Sequence, residues 1–329
     1  MKKFINNVDN ILVESLSGFA AAHPDLISLH LDPHYLTRAK KASNKVALIS
    51  GGGSGHEPLH GGFVGFGMLD AACPGHVFTS PTPDQMLEAA QAVESGKGVL
   101  FIVKNYAGDV MNFEMAAEML PFAHATVLTS DDVAVENSTY TTGRRGVAGT
   151  VIVEKVVGSL AETGADLAAC KALGDKVNSR TASMGVALTS CTVPAAGRPT
   201  FDISDNELEM GVGIHGEPGR RREAMREADA IVSDLVAAIL HDLKPEKNAE
   251  VLLMINGFGG TPLMELYLLF HSAEKLLQAH GLGITRSLVG NYTTSLDMAG
   301  ASITVCLLDE EIRQHWDSPV HTPALRWKL

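Results

Sequence analysis

Apolar positions fall into two rhythms along this chain. Short unbroken runs at 45–50 (KVALIS), 98–103 (GVLFIV) and 125–129 read as buried strands. After them the apolar residues return every three or four positions, which predicts helices at 109–120, 147–162 and 165–178. Glycines at 51–55 are expected to break the first strand, and 104–108 to turn the chain into the first helix. Apolar runs alternating with helices imply a mainly parallel sheet with helices on its faces.

The rhythm then restarts. Strands are predicted at 183–189, 207–214 (ELEMGVGI), 250–256, 284–289 and 302–308, and a loop with two prolines at 191–199. From 221 to 243 one stripe of Ala224, Met225, Ala228, Ile231, Val232, Leu235, Val236, Ile239 and Leu240 predicts a single helix. At 257–260 the chain is expected to turn, with Thr261 as N-cap and Pro262 opening another helix. The restart places a boundary near residue 182, giving an N-terminal domain 1–182 and a C-terminal domain 183–329. The expected fold class is α/β: two α/β domains, each a mainly parallel or mixed sheet flanked by helices.

Composition acts mainly by exclusion. The 329 residues suit two domains, and 45% hydrophobic with 19% charged residues is ordinary for a globular protein. A net charge of −12 repels phosphate backbones and anionic lipid, so neither nucleic acid nor membrane is an expected partner. The start is broken by Asn6, Asn7, Asp9, Asn10 and Glu14, so it has no signal-peptide core, and no apolar run is long enough to span a bilayer. Cys73, Cys170, Cys191 and Cys306 lie far apart without a CxxC pair, which predicts neither a zinc site nor a disulfide framework and fits a reducing, cytoplasmic compartment.

Four stretches hold candidate chemistry. The first, 50–58 (SGGGSGHEP), follows a predicted strand, where open α/β sheets place ligands. Its glycines let backbone N–H groups approach a small polar ligand; otherwise it is a tight turn with an incidental His56. It lacks the Lys-Ser/Thr of a P-loop, and His56 stands where a dinucleotide fingerprint needs glycine, so neither nucleotide route is predicted. The second, 104–109 (KNYAGD), offers Asp109 either as a helix cap or as a base beside Lys104 and His56. The third, 211–219 (GVGIHGEPG), ends an apolar run on His215, either a lone surface or core histidine or a ring with space cleared around it by glycines. The fourth, 256–262 (NGFGGTP), is either an anion-binding helix start or a plain connection. In 141–146 (TTGRRG), Arg144 and Arg145 face either a phosphate, an acidic partner or solvent.

Thirteen histidines raise the question of a metal, and 56–60 (HEPLH) matches the HExxH zinc pattern. That pattern needs a regular helix, which the flanking glycines and Pro58 argue against, so no metal is expected. His30 and His34, with Pro33 between them, are weaker still.

Read in order, the words SGGGSGHEP (50–58), ACPGHVFTSPTPDQ (72–85), KNYAGD (104–109), TTGRRGVAGT (141–150), CTVPAAGRP (191–199), GVGIHGEPG (211–219) and TSLDMAG (294–300) resemble the K subunits of dihydroxyacetone kinases, from Met1 to Leu325. The resemblance implies that His215 adds through Nε2 to the substrate ketone, giving a hemiaminal. It implies that Gly53, Ser54 and Gly55, with His56, Lys104 and Asp109, hold the substrate, and that His56 and Asp109 help remove the proton of the phosphorylated hydroxyl. A covalent bond fixes a small triose that offers little surface for binding and rejects glycerol, which has no carbonyl.

Single-chain relatives carry an additional nucleotide-binding domain, none is expected in these residues, and so a separate L subunit is expected to hold ADP or ATP and magnesium. A phosphohistidine protein of a sugar phosphotransferase system or free ATP then supplies the phosphoryl group. No cofactor is expected on this chain, and a homodimer is implied. The stretch 243–250 is shorter than in some members and is expected to be a trimmed surface loop. Two other readings stand beside this one: a non-catalytic sensor or co-activator that keeps the histidine, and a kinase subunit for a longer ketose such as erythrulose.

Overall fold

In the computed structural model, which describes residues 2–135, 143–217 and 219–329, the chain folds around two six-stranded sheets. Helix α1 (Ile11–Ala22) leads into the hairpin β1 (Ile27–Leu31) and β2 (His34–Arg38). Then follow β3 (Ala47–Ser54), β4 (Ala71–Val77), α2 (Pro83–Val93), β5 (Val99–Lys104), α3 (Ala107–Glu118) and β6 (His124–Thr129). The strand order is β1-β2-β4-β3-β5-β6, with β4, β3, β5 and β6 parallel.

Both faces of this sheet are covered, which is why its strands read as unbroken apolar runs. Ile49, Val99, Phe101 and Val103 pack with Met86 and Ala89 of α2 and Phe113 of α3. Leu48, Leu100 and Ile102 pack the other way, with Val151, Ile152 and Val156 of α4 (Gly149–Glu162) and Leu173 of α5 (Leu167–Ser179). Each such side chain contributes roughly 1.5–3 kcal/mol on burial. Helix α4 is buried nearly all round, its charged Glu154 and Lys155 included, because it runs through the interior. Helix α2 starts on a capping box, Thr82 with Gln85, and has Pro83 in its first turn.

The second sheet comprises β7 (Thr181–Ala187), β8 (Glu207–Met210), β9 (Arg221–Ala224), β10 (Glu250–Gly257), β11 (Gly283–Gly290) and β12 (Gly300–Leu307), flanked by α6 (Ala228–Leu243) and α7 (Leu263–Ala279). Its order is β11-β10-β12-β7-β8-β9, and only β10 and β11 run parallel. Helix α8 (Glu310–Asp317) and the short pair β13 (Val320–His321) and β14 (Arg326–Trp327) close the chain. One core joins the halves: Leu252, Met254 and Cys306 of the second sheet share it with Leu48 and Leu100 of the first.

Four expectations need correction. Glycines 51–53 do not break β3 but form its last residues, paired to Cys73, Pro74 and Gly75 of β4. The run 207–214 leaves the sheet at Met210, because Gly211 turns the chain at φ +78. The helix expected at 221–243 begins only at Ala228; its first residues form β9, whose Arg222 reaches Glu209 of β8 while Arg221 pairs with Asp234 of α6. Thr261 is not a cap: its hydroxyl donates to Gly300 O at 2.7 Å, and Pro262 precedes the first helical residue. The second sheet is mixed, within the expectation of mainly parallel or mixed sheets, with most of its strand pairs antiparallel.

A methyl group on Gly51 would lie 2.6 Å from Cys73 O, whereas one on Gly18, in α1, would meet nothing. Gly51→Ala is therefore expected to lower stability by about 1–3 kcal/mol, and Gly18→Ala to raise it by about 0.5–1 kcal/mol. Urea unfolding of the two variants beside wild type checks both signs.

Candidate active site

The parallel strands β3 and β5 are neighbours and end side by side, the place where such sheets present ligand-binding groups. Beyond the end of β3 come Gly55 and His56; β5 ends on Lys104; Asp109 sits in the first turn of α3. All of these side chains are buried. From the second half of the chain, the loop after β8 carries His215 into the same place. The rings of His215 and His56 lie 4.7 Å apart, edge to face, and Tyr106, between Lys104 and Asp109 in the chain, packs its ring 4.6 Å from His215. Phe78 completes the surround, stacked on His56 at 5.0 Å and edge-on to His215 at 5.3 Å.

Each imidazole has one nitrogen held by an acceptor. His56 Nδ1–H donates to Thr294 O at 2.7 Å, which leaves Nε2 with its lone pair, buried and without a partner among the described residues. Burial, then the charges of His215 and Lys104, hold the His56 pKa well below its ordinary range, so the ring is neutral. His215 Nδ1–H donates to Glu217 Oε1 at 3.0 Å, and the other Glu217 oxygen accepts the His215 backbone N–H at 3.0 Å. Nε2 of His215 then carries a lone pair in the neutral ring. Burial alone would raise the Glu217 pKa; the charge on His215, its hydrogen bond and Arg145 outweigh that and hold it at about 2.

Lys104 Nζ, fully buried, lies 3.4 Å from Asp109 Oδ2, 3.2 Å from Gly51 O and 3.0 Å from His60 Nε2. Of the glycine-loop residues, Gly53 has no room for a side chain, since a Cβ would stand 2.6 Å from Thr79 N. The Ser54 hydroxyl donates to Gly75 O at 2.7 Å, and Gly55 N–H to the Glu57 carboxylate at 3.0 Å, so both are engaged within the chain. A cavity of about 430 Å³ lies against the same strand, lined by Leu16, Phe19 and Leu36 on one side and by Gly53, Ser54, Gly55 and His60 on the other; His215, Lys104 and Asp109 do not line it.

The remaining candidate stretches serve the site from behind. Arg145 is buried, with Nε donating to Asp132 Oδ2 and an amino group to Gly211 O, both at 2.8 Å, which ties down the His215 loop. Arg144 pairs with Asp242. Asn256 accepts the N–H groups of Tyr292 and Thr293 at 2.9 and 2.8 Å, and so fixes the loop that presents Thr294 O to His56. His56 and His60 do not share a helix: they face Thr294 and Glu154 respectively, and among the described residues no cluster of three His, Cys, Asp or Glu could hold a metal. His30 stacks on Tyr35 instead of meeting His34. Thr141, Thr142 and Pro218 of the singled-out stretches lie outside the described residues. No helix among the described residues is long and apolar enough to cross a membrane.

Phe78, Tyr106, Glu217 and Thr294 were not singled out from the sequence. Glu217 had a signal, a carboxylate two residues past His215; Tyr106 lay inside KNYAGD; Phe78 and Thr294 had none beyond their place in longer words. The arrangement offers a nucleophilic imidazole, a neutral imidazole base whose ring centre is 4.7 Å from it, and an ammonium–carboxylate pair for hydroxyl groups.

The Dak1 domain family model matches residues 17–324. The chain is 49% identical, over 99% of each sequence, to the dihydroxyacetone-binding subunit DhaK of the PEP-dependent dihydroxyacetone kinase of Escherichia coli (strain K12). Among solved structures it superposes on the dihydroxyacetone kinase operon co-activator Dha-DhaQ with a TM-score of 0.89 at 33% identity, over 94% of this chain and 97% of that one. It superposes on the dihydroxyacetone kinase of C. freundii (native form) with a TM-score of 0.87 at 35% identity, over 99% of this chain and 60% of that one.

Glu217 has a folded pKa of about 2 against an ordinary 4.5, so the folded state binds fewer protons there than the unfolded state. Its stabilisation is complete above about pH 4.5 and is lost as pH falls towards 2. Glu217→Gln should lack that acid-labile contribution, giving a shallower loss of stability over this range in urea unfolding; an unchanged pH slope would count against the His215–Glu217 pairing.

Proposed function

The chain belongs to the Dak1 domain family, and from that premise we propose that it is the dihydroxyacetone-binding subunit of a phosphoenolpyruvate-dependent dihydroxyacetone kinase. The observation that carries the reading is the meeting of His215 and His56, 4.7 Å apart, beside the Lys104–Asp109 pair. Nε2 of His215 attacks the ketone carbon; the carbonyl π pair moves to oxygen, which takes up a proton from water, and the product is a hemiaminal with the positive charge on the ring. Glu217 fixes the tautomer and balances the positive charge that the ring gains as the bond forms.

With the carbonyl carbon held, a terminal hydroxyl lies among Lys104, Asp109 and His56. His56 Nε2 takes the hydroxyl proton as the oxygen bonds to phosphorus and the bond from phosphorus to the donor's leaving oxygen breaks, the leaving group staying with the donor; dihydroxyacetone phosphate leaves after the hemiaminal reverses. The phosphoryl donor is assigned to a separate L subunit carrying ADP or ATP with magnesium, recharged by a phosphohistidine protein, in keeping with the PEP-dependent character of the E. coli relative. The chain works as a homodimer in the cytoplasm.

The co-activator reading keeps the ketone trap and drops the transfer. The likeness to Dha-DhaQ at 33% identity is weaker than that to the E. coli kinase subunit at 49%, and His56, Lys104 and Asp109 are all in place, which favours the enzyme.

Intact-protein mass spectrometry with dihydroxyacetone should show a reversible adduct on wild type, none on His215→Ala, and none with glycerol on either. An equal adduct on His215→Ala would remove His215 from the mechanism. His56→Asn should keep the adduct while turnover with a nucleotide-binding L subunit drops roughly 10²–10⁴-fold. Wild-type adduct without turnover beside a competent L subunit would favour the co-activator, and faster turnover of erythrulose would change the substrate.

A further inference from the structure

Four buried side chains stand in line from α4 to the Lys104–Asp109 pair. Glu154 lies in the middle of α4 with no exposure, and its Oε1 is 2.6 Å from His60 Nδ1. His60 Nε2 is 3.0 Å from Lys104 Nζ, which in turn is 3.4 Å from Asp109 Oδ2. An ammonium has only hydrogens to offer, so His60 must face it with a lone pair. The ring proton is then on Nδ1, and Glu154 accepts it. Burial, reinforced by Lys104, holds the His60 pKa well below its ordinary range and keeps the ring neutral. Burial also lifts Glu154 to about 8. A proton on its Oε2, which has no partner among the described residues, leaves Oε1 free to accept from His60.

We infer that His60 and Glu154 are positioning residues for the substrate hydroxyl: Glu154 locks the His60 tautomer, and His60 holds the Lys104 ammonium against Asp109. The lysine stem is long and flexible, and a buried ammonium needs an acceptor for each hydrogen to be held in one place. Of its three hydrogens, one goes to Gly51 O and one to His60. The third reaches Asp109 only at 3.4 Å, a span that a substrate hydroxyl can enter and share. Gly52 belongs to the same device, because a side chain there would collide with Nζ. The inference rests on reading Lys104 and Asp109 as hydroxyl-binding groups.

Two measurements on the full chain test it. Long-range ¹H–¹⁵N spectra without ketone, with the His60 signals assigned by their loss in His60→Gln, should show His60 protonated on Nδ1 alone. Protonation on Nε2 would overturn the inference whatever the chain binds. In the second, the dihydroxyacetone concentration giving half-maximal adduct should rise roughly tenfold in His60→Ala, the size of one lost charge-assisted hydrogen bond. His60→Gln, whose amide oxygen takes the place of Nε2, should return it to within about threefold of wild type. Half-saturation unchanged in His60→Ala, or His60→Gln as weak as His60→Ala with both melting like wild type, would overturn it as well. Absence of an adduct on wild type would instead sink the ketone reading and leave the tautomer to decide the inference.

Discussion

At its C-terminal end β3 passes so close to β4 and to the Phe78–Thr79 turn that no side chain fits on Gly51 or Gly53. Everything in the site depends on that closeness. A strand of backbone alone lets the Lys104 ammonium reach through to Gly51 O from the neighbouring strand. It also brings His56, just past the strand, into stacking contact with Phe78. Glycine in a strand costs about 0.5–1 kcal/mol each relative to alanine. The cost is offset by the sheet around it, where Leu48, Ile49, Phe101 and Ile102 are fully buried. The rigid core is thus what permits a side-chain-free, poorly self-stabilising segment to sit where the chemistry is.

The second constraint is that the site belongs to neither half of the chain. His56 is oriented by Thr294, and the loop bearing Thr294 is fixed by Asn256 of β10. His215 is surrounded by Tyr106 and Phe78 from the first half. Arg145 spans the two, holding Asp132 on one side and Gly211 on the other. A buried guanidinium is tolerated only with acceptors supplied, and losing its carboxylate would leave an uncompensated charge. Such a pair adds little net stability but specifies one arrangement, and here that arrangement brings the His215 loop against Tyr106.

The strands with both faces covered were legible in the sequence because burial on two sides leaves no polar alternation: 98–103 and 250–256 were read nearly to the residue. The helix stripe at 228–240 was legible for the converse reason. What failed had a tertiary cause. Arg221–Ala224 becomes a strand through pairing with β8 and ion pairs to Glu209 and Asp234, none of which is local. Of the site, the chemically distinctive residues His56, Lys104, Asp109 and His215 stood out in short glycine-rich words, and the fold brings them together. The residues that aim them did not stand out. Thr294 acts through a carbonyl that any residue would supply, and Glu154 looks from the sequence like an ordinary charge in a helix that only the fold shows to be interior.

Two imidazoles 4.7 Å apart in a buried setting cannot share the same protonation state freely. His56 is pressed towards neutrality by burial and then by the charges of His215 and Lys104. In the proposed reaction, any positive charge gained by the His215 ring on trapping the ketone presses the same way, so the trap keeps the base unprotonated. A base held below its ordinary range is thermodynamically weaker than a free imidazole, and its usefulness depends on timing. In a loose phosphoryl transfer the acceptor oxygen carries its proton until late, and the hydroxyl becomes strongly acidic only as the new bond forms. A weak, well-placed base suffices at that moment, whereas a stronger one would already be protonated in the cell. In the proposed reaction, holding the triose by a covalent bond and removing its proton with a depressed imidazole are therefore one arrangement, and the spacing of the two rings is what couples them.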